Sequence, residues 1–206
     1  MEVLIVSKTR MSNSVCVGGL VLENNRYVRL LNPDTFIQPT NTEFEVGDIW
    51  DLNFTSRPNI IPPHIEDVVI SKKLFVRKVD DMHAFIRSRN IINWNGHINN
   101  LFDGLLNWTN SGAGYISVNG KMPTKSVGFW VADKDLFSKT FDDKKTKFYY
   151  PNGNNYRNVS YVGFQETLPK IAAGTILRVS LSRIFPSDHS DINVPKGFYL
   201  QLSGWY

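Results

Sequence analysis

Apolar residues recur along this chain in short runs, mostly with the alternation of half-buried strands, and turn residues separate them. Residues 2–6, Glu-Val-Leu-Ile-Val, predict a buried first strand. Ser14–Leu22 and Arg26–Leu31 predict a hairpin turning at Glu23-Asn24-Asn25, where asparagine tolerates positive φ. On its second strand Tyr27 and Arg29 share one face and Val28 and Leu30 the other. Gly47-Asp48 leads into a strand from Ile49 to Phe54, and Pro58 and Pro62-Pro63 break the chain before a β-branched stretch from Ile65 to Val79.

The pattern changes at residue 80. Asp80 and Asp81 precede a short helix with Met82, Phe85, Ile86 and Arg89 on one face. Ile98, Leu101, Phe102, Leu105 and Leu106 recur at helical spacing and predict a second helix. From Tyr115 the strands resume: Val127–Val131, a hairpin of Lys147–Tyr150 and Tyr156–Phe164, Gly174–Phe185 and Gly197–Tyr206.

The two strand-rich parts echo each other. Gly47-Asp-Ile-Trp-Asp-Leu-Asn-Phe54 parallels Gly174-Thr-Ile-Leu-Arg-Val-Ser-Leu181, and an Asn-Asn turn precedes each, at 24–25 and 154–155. The expectation is mainly β: two OB-like small β-barrels, 1–79 and 111–206, joined by a short helical connector, 80–110. A single larger β-domain with recurrent turns is the alternative.

Composition excludes several classes. The 206 residues are 42% hydrophobic and 20% charged, a globular balance. One cysteine, Cys16, rules out a disulfide framework or a multi-cysteine metal site. No apolar run approaches the ~18 residues of a membrane span. Val3–Val6 is too short for a signal-peptide core, so the expected location is cytoplasmic, without membrane association. There is no nucleophile-elbow, Walker or dinucleotide glycine motif. The net charge is +4, and residues 111–206 hold the whole excess, with 12 basic and 7 acidic residues.

That basic part contains the strongest binding candidate. Lys144, Lys145, Lys147 and Arg157 interleave with Phe148, Tyr149, Tyr150 and Tyr156. Cations neutralise phosphates and rings stack bases. The plain alternative is an exposed hairpin whose rings pair across strands and whose lysines keep the edge soluble. Lys8, Arg10, Tyr27 and Arg29 form a smaller set of the same kind in the first part.

Two polar clusters compete as reactive sites. His64 and Glu66 alternate to one face and Asp67 to the other. They suit either an acid/base or metal pair, or a hydrogen-bonded loop closure after Pro62-Pro63; closure is favoured because no third ligand is near in sequence. Asp188-His189-Ser190-Asp191 lies in a polar loop and is read as solvated rather than metal-binding.

Several segments carry a family likeness: Val3-Leu-Ile-Val-Ser-Lys-Thr-Arg10, Cys16-Val-Gly-Gly, Arg26-Tyr-Val-Arg-Leu30, Gly47-Asp-Ile-Trp50, Pro63-His-Ile-Glu-Asp-Val68 and Gly197-Phe-Tyr-Leu-Gln-Leu-Ser-Gly204. Together they resemble the bacterial dual-OB domain family, over nearly the whole chain. The resemblance implies a module associated with prokaryotic conflict and antiviral systems that binds nucleic acid without established catalysis. The leading expectation is therefore a non-catalytic module for single-stranded or structured nucleic acid, needing no cofactor, in the recognition part of a bacterial defence system. A protein-binding adaptor in a defence complex is the second reading, and a hydrolase or nuclease using His64 and Glu66 the third.

Overall fold

The computed structural model describes residues 1–141, 145–186 and 194–206. Lys144 and the Asp188–Asp191 cluster lie outside the described residues. The chain divides into two compact units, Met1–Ile92 with Tyr206, and Asn93–Trp205. The segment expected as a connector, 80–110, is shared between them.

In the first unit, β1 (Glu2–Met11), β2 (Ser14–Val21), β3 (Tyr27–Leu31), β4 (Asp48–Ser56) and β5 (Asp67–Lys78) close a barrel in the order β1-β2-β3-β5-β4. β1 serves two neighbours, pairing β2 along its length and β4 through Glu2–Leu4, with a register shift between Ile5 and Ser7. β3 and β5 run parallel, Arg29 opposite Asp67 and Leu31 opposite Val69. The core is Val3, Ile5, Val17, Val28, Leu30, Phe44, Trp50, Leu52 and Val68 with their neighbours. Gly19 is dictated by this packing: a Cβ there would lie 2.5 Å from Val3 Cγ1.

Helix α1 (Met82–Ser88) starts where the acids predict, with Asp81 accepting from the Ala84 N–H at 2.8 Å. Of its expected apolar face only Ile86 is buried. Arg89 instead donates to Asn25 Oδ1 at 2.9 Å and to the Leu22 carbonyl.

The second unit is a curled sheet. β6 (Ile92–Gly96) begins at the last residue of the first unit and leads to a 3₁₀ turn, Ile98–Gly104. Then come β7 (Asn107–Trp108), β8 (Gly114–Ser117), β9 (Val127–Ala132), β10 (Leu136–Thr140), β11 (Thr146–Asn152), β12 (Asn155–Tyr161), β13 (Lys170–Ile171), β14 (Ile176–Phe185) and β15 (Gly197–Trp205). The main path runs β13-β10-β11-β12-β15-β14-β9-β6. Here β9 and β10 act as the halves of one broken strand: β10 pairs β11 and β9 pairs β14. Counted so, the order of the first barrel recurs, including a parallel pair, β12 with β15. Gly47 and Gly174 occupy matching places. Each has positive φ, at +94° and +84°, just before its strand, and each donates to the corresponding strand of its unit, at Ile5 O of β1 and Ala132 O of β9, both 2.9 Å.

The expected second helix is not a continuous α-helix. Leu101 leaves helical geometry, and Phe102 and Asp103 have positive φ. The spacing still delivers Ile98, Leu101 and Phe102 to the core, where Phe102 packs on Trp94 at a centroid distance of 4.7 Å. Among the described residues no helix is long and apolar enough to cross a membrane.

Candidate nucleic-acid interface

Alternation along β11 sorts its side chains. Phe148 and Tyr150 point inward and are fully buried, while Lys147 and Tyr149 point outward. Residues directly opposite in an antiparallel pair share a face. The register therefore builds two outward rows across three strands: Phe137–Tyr149–Asn158 and Lys139–Lys147–Ser160. Within a row neighbours are ~5 Å apart, and the rows are separated by two residues, ~7 Å along the strand. Phe137 is 44% exposed and Tyr156, diagonal to Tyr149, is 57% exposed. The Tyr149 and Tyr156 rings meet edge to face at 6.3 Å. Asn158 is buried under the loop before β8, donating from Nδ2 to the Ser111 carbonyl at 2.6 Å, and bounds the face on that side.

Lys139 and Lys147 stand directly opposite each other, a like-charge pairing that is unfavourable in an isolated sheet. Both ammonium groups lie near the Phe141 ring, 5.3 and 5.6 Å from its centroid, where the ring face attracts cations. The result is two cations bracketed by exposed rings, a combination that suits a phosphate with its attached base.

The structure separates the predicted residues. Lys147, Tyr149 and Tyr156 lie together on this face. Lys145 is exposed, and its carbonyl accepts from the Phe141 N–H at 3.0 Å. Tyr150 is core: its hydroxyl donates to Asp133 at 2.7 Å, and burial, then the Asp133 carboxylate, push its pKa well above the ordinary phenol range. Arg157 stands opposite Tyr150, off the outward rows, with its guanidinium 4.5 Å from the Trp108 ring. Phe137, Lys139 and Phe141 were missed in sequence, although their alternate spacing along β10 and just past its end is the signal that would have grouped them.

The set in the first unit does not form a comparable surface. Tyr27 is buried, donating to the Ile91 carbonyl at 2.9 Å. Lys8 is paired with Glu45 at 2.5 Å and is largely covered. Arg29 is ion-paired with Asp67, whose other oxygen accepts from Arg57 Nη1 at 3.2 Å. Arg10 alone of these four is exposed.

His64, Glu66 and Asp67 are all buried. The His64 N–H donates to the Ile61 carbonyl at 3.0 Å, and the Glu66 carbonyl accepts from the Arg29 N–H at 2.7 Å. The Glu66 carbonyl and the Asp67 carboxylate join this segment to Arg29 on β3, and the His64 N–H closes a local turn. Among the described residues no three histidine, cysteine or acidic side chains converge on a metal-sized site.

Comparison with curated proteins returns no match. Among solved structures, a murine DNA-binding protein determined with double-stranded DNA aligns over 98% of this chain and 94% of that one, at 11% identity and a TM-score of 0.33. Those values are too low to carry an inference. A family model described as dual OB-containing domain matches residues 1–205. With that match spanning both units, and the strand order of the first barrel recurring in the second, the chain belongs to the dual OB-containing domain family.

Proposed function

We propose that this protein binds nucleic acid in single-stranded form on the outward face of β10, β11 and β12. The observation that carries the reading is the cross-strand block Phe137, Lys139, Lys147 and Tyr149, which places exposed rings beside paired cations. It lies on the strand 2–3 surface that OB-folds use for oligonucleotides. Cations on such a face neutralise the backbone and the rings accept unstacked bases without demanding a sequence. The reading is non-catalytic and cofactor-free, since the acid/base alternative rests on His64 and Glu66, which are buried and tied into a loop. The setting that accords with the family resemblance is the bacterial cytoplasm, with the protein as the recognition component of a defence system.

The test is fluorescence anisotropy with labelled oligo(dT), oligo(rU) and a DNA duplex at two salt concentrations. Binding of the single strands that weakens steeply with salt is the expected result. Equal affinity for duplex and single strands would move the interface off the ring-bearing face. No binding at low salt would exclude the function.

A further inference from the structure

The first unit has a surface that the nucleic-acid reading leaves unused. β3 pairs with β5 only from Asp67 to Val69, whereas β4 follows β5 to Lys78. Among the described residues no strand pairs the other edge of β5 from Ser71 onward, and every residue from Ser71 to Lys78 is exposed. Leu74 is 67% and Phe75 50% exposed, with Val76 beside them. A groove of about 260 Å³ opens along this edge, lined by Asn32, Pro33, Phe44, Ile70, Lys72 and Lys73 among others. Exposed edges are normally blunted by proline, shortness, covering segments or charged side chains, lysine above all. This one is long and free of proline, and cations flank the apolar side chains at its centre.

We infer that the β5 edge from Ser71 to Lys78 docks an extended acidic segment of a protein partner, added to the barrel as a further strand. Charge selects the occupant. Lys73 is paired with Glu43, but Lys72, Arg77 and Lys78 have no acidic partner among the described residues. An open edge offers alternating N–H donors and C=O acceptors, which a peptide strand satisfies in full. A nucleic-acid backbone offers phosphate acceptors and would leave the carbonyls unmet. The central side chains also suit a peptide: Leu74 and Val76 are aliphatic, and Phe75 is held edge to face against Trp50 at 5.5 Å. A second copy of the chain is disfavoured, because pairing two such edges would set lysines and arginines against each other.

A random-peptide display library selected against the full chain tests this. Enriched peptides should alternate Asp or Glu with Val, Ile or Phe. Binding them should slow hydrogen exchange at amides within Ser71–Lys78. The double variant Lys72→Glu/Arg77→Glu, at exposed positions and checked for native circular dichroism, should weaken binding at least about tenfold, because attraction becomes like-charge repulsion. Unchanged affinity in that variant would overturn the inference. So would the absence of enriched acidic peptides, or protection of the same amides by self-association or by oligo(dT). Because these residues belong to the first unit, the result is independent of the face on β10–β12.

Discussion

Replacing Asp67 by Ala should destabilise the first unit more than any other single charge removal in it. Its carboxylate side chain is 3% exposed and holds two cations, Arg29, whose side chain is 16% exposed, and Arg57, at 32%. Asp67 also stands opposite Arg29 in the short parallel β3–β5 pairing, where the barrel closes. Arg29 Nη2 is already buried without a hydrogen-bond partner. The substitution strands a largely buried guanidinium, a change that costs ~3–5 kcal/mol when a buried pair is broken. Removing Arg57 leaves the closer pair intact, and its own exposure reduces the loss to ~1 kcal/mol or less. Urea unfolding followed by tryptophan fluorescence reads both, with Trp50 reporting on this barrel. If Asp67→Ala loses no more stability than Arg57→Ala, the ion pair does not fasten the barrel and the reasoning fails.

Three further outcomes follow from the same geometry. Tyr149→Ala should weaken single-strand binding by ~1–3 kcal/mol without changing its salt slope, measured by anisotropy, since a ring stacks and releases no counterion. His64→Ala should lower the thermal midpoint and leave oligonucleotide affinity unchanged; a stable variant that instead lost a metal-dependent activity would restore the enzyme reading. Tyr150 holds its proton more tightly folded than unfolded, so its contribution is complete below about pH 10 and is lost as pH rises further. Alkaline unfolding curves should therefore be shallower for Tyr150→Phe, and identical curves would contradict that role.

The duplication was legible because its signal is local. Gly47 and Gly174 must each adopt positive φ at the entrance to the fourth strand, and the Ile two residues later is fully buried in both. Which face of each strand points inward was harder to read. Parity groups Tyr27 with Arg29, yet only the closed barrel shows that Tyr27 faces Ile91 and Arg29 faces Asp67. The candidate interface was half visible for a related reason. Lys147 and Tyr149 alternate along one strand, whereas Phe137 and Lys139 join them through strand register, which depends on pairing rather than on composition. The spacing of Ile98, Leu101 and Phe102 fitted a helix, but it is equally met by a kinked turn that buries the same three residues.

In the proposed binding mode Lys139 and Lys147 hold a nucleic-acid backbone between exposed rings. Anisotropy titrations of oligo(dT) across a salt series, comparing the native chain with Lys139→Ala/Lys147→Ala, measure it directly. Two phosphate contacts at ~0.7 each should flatten the slope of log K against log salt by ~1.4 and weaken binding at low salt. A folded double variant with the native affinity and the native slope would contradict the account.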